Sequence, residues 1–143
     1  LTRTFAASPD QIYRAWLDHD TLFRWSAPAN CTMVSLRADS RVGGTWESRF
    51  LFGTGEQHIT VGEYLELIPG KRIVMRQMNT SDIATTTNVP TIVTVEFEES
   101  APGQTRMLFT MTGEISASDA EWMPIGWESR FDLLTTVVME NQT

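Results

Sequence analysis

The spacing of hydrophobic and polar positions changes twice along the chain. Leu1-Thr2-Arg3-Thr4-Phe5 opens residues 1–7 with a pattern that predicts a strand and does not resemble a signal peptide. Ser8-Pro9-Asp10-Gln11 follows. A serine with glutamine three residues later makes a capping box, and proline suits the first helical position, where its missing N–H would be unpaired anyway. Ile12, Ala15 and Trp16 recur at helical spacing, so this helix has one buried stripe. Asp18 and Asp20 offer a second cap, and Leu22, Phe23 and Trp25 predict a second short helix that ends before Pro28.

From about residue 32 to residue 113 the period is two. Trp46, Ser48 and Phe50 share one face of a strand whose other face carries Glu47 and Arg49. Gly53-Thr54-Gly55 predicts a hairpin turn. Residues 58–68 and 71–78 predict two more strands, joined by Pro69-Gly70, with a less regular alternation. Asn79 to Asn88 is polar, Thr-rich and without period, which predicts a long loop. Val93, Val95 and Phe97 alternate with Thr94, Glu96 and Glu98. Met107, Phe109 and Met111 alternate with Arg106, Leu108 and Thr110, so the two runs form a hairpin across Ala101-Pro102-Gly103. Helical spacing then returns. Ser118 and Glu121 fit a capping box, Pro124 fits a restart at a first turn, and Met123, Trp127, Phe131, Leu134 and Val138 make one wide apolar stripe.

A strand, two short helices, about six further antiparallel strands and one long helix is an α+β order. A sheet with one dry face must be covered, and only the terminal helix is large enough to cover it. The short helices can plug one end of a curved sheet. No repeat or linker interrupts residues 1–143, which read as a single domain.

Composition narrows the partners. A chain of 143 residues can bury a core without a metal or disulfide staple. Its 18 acidic and 11 basic side chains give a net charge of -7, which repels phosphate backbones and anionic lipid surfaces. Nucleic acid and stable membrane association are therefore not expected. Cys31 is the only cysteine and reads as a small hydrophobe; a lone thiol fits a reducing, cytoplasmic setting. No apolar run approaches a membrane span. The N-x-[ST] triplets at Asn30, Asn79 and Asn141 are of a kind that arises often by chance.

Several segments together resemble a known family. They are the helix start from Ser8-Pro9 to Trp16, Trp25, Arg41-Val42-Gly43-Gly44-Thr45-Trp46, and Gly62-Glu63-Tyr64-Leu65-Glu66-Leu67-Ile68-Pro69 with Arg72-Ile73. Thr105 through Thr110 and Gly126-Trp127 complete the set. Their order resembles the START and birch-pollen-allergen (SRPBCC) superfamily and, within it, the family related to the activator of the heat-shock-protein-90 ATPase. The resemblance implies a helix-grip fold, a curved antiparallel sheet of about six to seven strands around a long C-terminal helix. That superfamily includes lipid carriers, polyketide cyclases and hydroxylase subunits, so the fold does not fix the function.

A curved sheet gripping one helix leaves a gap where the two surfaces curve differently, and ligand pockets are mostly apolar clefts. The expected ligand-binding residues are Trp46, Ser48, Phe50, Tyr64, Val95, Phe97, Met107, Phe109 and Met111 on the sheet, facing Trp127, Phe131 and Leu134 on the helix. For any one of them the plain alternative is core filling. Seven methionines suit an adaptable lining. Arg49 and Arg76 are expected to face solvent. The leading expectation is a non-enzymatic binder of a small apolar or amphipathic molecule, monomeric or homodimeric, with no cofactor and no metal. One alternative is a cyclase-like or hydrolytic enzyme using Tyr64 or His58 as acid–base groups. Another is a chaperone-associated interaction module. Asp18-His19-Asp20 reads as a solvated cap, because adjacent helical residues point apart and cannot converge on one ion. No G-x-S-x-G elbow, P-loop or dinucleotide fingerprint is present.

Overall fold

The computed structural model describes residues 1–27, 31–81, 91–113 and 117–140. Its elements are β1 (Thr2–Phe5), α1 (Pro9–Leu17), α2 (His19–Trp25), β2 (Thr32–Ala38), β3 (Thr45–Leu51) and β4 (Gln57–Ile68). They continue with β5 (Arg72–Ser81), β6 (Thr91–Ala101), β7 (Gln104–Thr112) and α3 (Ala117–Glu140). The seven strands form one antiparallel sheet in the order β1-β7-β6-β5-β4-β3-β2. This is the α+β helix-grip arrangement.

Local chemistry sets the helix ends. Ser8 accepts from the Gln11 amide at 3.3 Å while the Gln11 side chain accepts from the Ser8 amide at 2.8 Å, so the capping box forms. Asp18 ends α1 by donating its amide to Arg14 O at 2.7 Å, and starts α2 by accepting from the Thr21 amide at 3.1 Å. One residue thus joins the two short helices. His19 leaves this cap, reaching Leu36 O at 2.7 Å and Asp20 at 3.3 Å.

Three register shifts, between Met33 and Ser35, Tyr64 and Glu66, and Glu99 and Ala101, bend the sheet. The shift at Tyr64 explains the irregular alternation of residues 58–68: the inward face changes parity at the bulge. β5 runs to Ser81, beyond the expected start of a loop at Asn79, because its pairing with β4 continues through His58 and Ser81. The rest of that expected loop, 82–88, lies outside the described residues, as do Pro28 and the sequon positions Asn30 and Asn141. The side chains of Asn79, Ser118, Glu121 and Met123 also lie outside the described residues, and with them the expected second capping box. Pro124 corrects another expectation. It lies inside α3, not at a first turn, so the helix continues past a position that cannot donate.

α3 is held against one margin of the sheet. Arg3 on β1 reaches Asp132 and Glu128 on α3, each at 2.6 Å. Behind this clasp the interior is filled. Val93, Val95, Phe97, Met107 and Phe109 are buried with Phe131 and Leu134, and the Phe109 ring lies 5.4 Å from Phe131 and 4.4 Å from Trp127.

Candidate functional site

Away from the clasp, helix and sheet diverge, and a hollow of about 80 Å³ lies between them. Its floor comes from four adjacent strands. Antiparallel register sets Leu36, Ser48 and Thr60 in one row, with Ser48 opposite both of the others. Phe50 faces His58 in the next row on one side, and Tyr64 faces Met75 two rows away on the other. Trp46 and Gln77 complete the floor, while Trp16, Leu22, Ser26, Gly126, Trp127 and Arg130 form the roof.

Trp46 lies over β4 because Gly62 stands opposite it. A Cβ at Gly62 would come within 2.4 Å of the indole, so only glycine lets the ring rest there. Tyr64 is fixed by its backbone: it accepts from the Gly43 amide at 2.8 Å and donates to Gly44 O at 2.9 Å, which ties the turn between β2 and β3 to β4. Ser40, whose hydroxyl donates to Leu17 O at 2.9 Å, is also joined to the Tyr64 side chain by a hydrogen bond. Burial pushes the Tyr64 pKa up to about 12, and the Ser40 bond only partly offsets that. His58 is buried beside Phe50, with ring centres 4.9 Å apart.

Arg130 has the least ordinary surroundings. Its guanidinium carbon lies 4.0 Å from the centre of the Trp127 ring and 5.3 Å from that of Trp25. The residue as a whole is only half-buried, but its Nε is enclosed and has no hydrogen-bond partner among the described residues. Nor does any described carboxylate pair with it. Burial pushes its pKa down to about 9, which still leaves it cationic at neutral pH. The indole Nε1 atoms of Trp16 and Trp46 are likewise buried with no partner among the described residues. The fourth such atom, Arg72 Nε, faces Glu66 at 3.6 Å on another part of the surface.

Among the expected ligand residues, the structure brings Trp46, Ser48, Phe50, Tyr64 and Trp127 together around the hollow. Val95, Phe97, Met107, Phe109, Phe131 and Leu134 lie in the filled interior instead, and Met111 is half-buried against it. Arg49 and Arg76 are partly exposed beside Glu47 and Glu63. Thr60 and Gln77 escaped sequence reading, although the register that places Ser48 would have found Thr60. Arg130 escaped too. It stands three residues after Trp127 and four before Leu134, helical spacing that sets it on the edge of the apolar stripe.

The model of the family described as Activator of Hsp90 ATPase homolog 1-like protein matches residues 6–139. The chain belongs to that family. Among solved structures, a Chromobacterium violaceum protein is 29% identical with a TM-score of 0.79, covering 96% of this chain and 94% of its own. A Rhizobium leguminosarum protein shares the fold at 24% identity and a TM-score of 0.81, covering 98% of this chain and 92% of its own. The AHSA1 protein of Silicibacter pomeroyi does so at 19% identity and a TM-score of 0.81, with 99% and 96% covered. No curated protein matches the chain. Membership of the Activator of Hsp90 ATPase homolog 1-like family accounts for the helix-grip order and leaves the ligand to be argued from the hollow.

Proposed function

We propose that this family member binds a small amphipathic molecule in the hollow between β2–β5 and α3. The hollow of about 80 Å³ carries the reading. At ~10–15 Å³ per water-sized position it offers roughly five to eight positions, enough for a short chain or one ring. Its wall is mixed. Trp46, Phe50, Met75 and Trp127 supply apolar surface, while Ser48, Thr60, Gln77 and Arg130 supply polar groups. Such a combination suits a guest with one apolar and one polar end. The acid–base alternative has less support, because a Tyr64 phenol that keeps its proton to about pH 12 can donate a hydrogen bond but is no base near neutral pH.

Ser48→Phe tests this reading, since the added ring would fill the hollow. Binding of short-chain amphiphiles, followed by calorimetry and tryptophan fluorescence, is expected in the wild type and lost in the folded variant. Equal binding by both proteins would place the guest elsewhere.

A further inference from the structure

We propose that the guest is a monocarboxylate, held with its charged end at Arg130 and its apolar part against the tryptophans. This inference rests on the binding reading above and names its ligand class.

Three observations converge. First, among the described residues Arg130 is the only Lys or Arg lining the hollow, and no described Asp or Glu lines it. Its guanidinium is partly withdrawn from water, and a cation so placed is ordinarily paired with an anion. Stacking on Trp127 at 4.0 Å returns only part of the lost hydration. Second, Arg130 Nε and the Nε1 atoms of Trp16 and Trp46, buried atoms without a hydrogen-bond partner among the described residues, are all N–H donors on residues that line the hollow. Neither an indole nor a guanidinium can accept a hydrogen bond, so what these atoms lack is an acceptor. Third, the sign and size of the charge are bounded. One guanidinium matches one negative charge, and a doubly charged phosphate ester would leave an excess charge in a chain already at -7. A carboxylate is planar, carries two acceptor oxygens, and fits the guanidinium fork. Burial, which lowers the Arg130 pKa, also describes a cation that gains from an anionic neighbour.

The test compares hexanoate with 1-hexanol by calorimetry at neutral pH, on the wild type and on Arg130→Met. Charged hydrogen bonds lead us to expect hexanoate to bind wild type about ten- to a hundredfold more tightly than hexanol. In Arg130→Met that preference is expected to vanish while hexanol still binds. If wild type bound acid and alcohol equally, the carboxylate assignment would fail and the binding reading would stand. If neither bound, both would fail. A preference for the acid that survives in Arg130→Met would also overturn the role of this residue. Should the variant not fold, Arg130→Lys replaces it. Loss of the planar fork is then expected to narrow the preference, and an unchanged preference would count against the assignment.

Discussion

At the scale of the residue, the hollow depends on an absent side chain as much as on those present. Gly62 leaves the surface on which the Trp46 indole rests, and any Cβ there would overlap the ring. Gly62→Ala is therefore expected to push Trp46 off β4 and to destabilise the fold by about 1–3 kcal/mol, the usual cost of overpacking. Denaturant unfolding would measure the loss, and a shifted tryptophan emission would report the moved ring. An unchanged midpoint and spectrum would show that the strand yields instead. Arg130 teaches the complementary lesson. The sequence shows a charge beside an apolar stripe, and the ordinary expectation is a solvated face. That the guanidinium also reaches Trp25 on α2, 5.3 Å away, follows from the tertiary position of α3, which a helical period alone does not contain.

At the scale of the element, most of the architecture was legible. Ser8, Gln11 and Asp18 act within a few residues of themselves, and a strand with one dry face has period two wherever it packs. The inward parity of β4 was not legible, because the shift at Tyr64 is set by pairing with β5. Asp18 permits a quantitative check. Its carboxylate accepts from the Thr21 hydroxyl at 2.7 Å and the Thr21 amide at 3.1 Å, and these bonds hold its pKa below the usual range. A depressed carboxylate contributes stability above its unfolded pKa, about 3.9, and loses it as pH falls through the lower folded value. Asp18→Ala is expected to cost about 1 kcal/mol near neutral pH. The gap between variant and wild type should close progressively below about pH 4. A gap that stayed constant down to pH 2 would mean that the side chain caps nothing.

At the scale of the whole molecule, the site was half legible. The sequence gathered the apolar residues of sheet and helix into one interior, but it could not divide that interior into filled and open parts. The division follows from where α3 packs, with Trp127 and Phe131 against Phe109 of β7 and with Arg3 paired to Glu128 and Asp132, contacts made across long stretches of sequence. Residues of β6 and β7 are thereby closed off, and those of β2 to β5 are left facing space. Net charge adds a second global effect. An anion approaching a chain at -7 meets repulsion before it reaches Arg130. Raising ionic strength from about 0.01 M to about 0.15 M shortens the screening length from ~30 Å to ~8 Å. Hexanoate is therefore expected to associate faster at the higher salt, by stopped-flow fluorescence, while hexanol is unaffected. A slower acid at higher salt would mean that local attraction dominates the approach.

Clasped to β1 through Arg3 and to α2 through Arg24 and Glu140, the terminal helix is a bridge pinned at two places and has no free arm. A guest slightly too long has little room to lever it outward. Affinity along a homologous series of chain lengths is therefore expected to rise and then break off sharply, and Arg24→Ala would soften that edge.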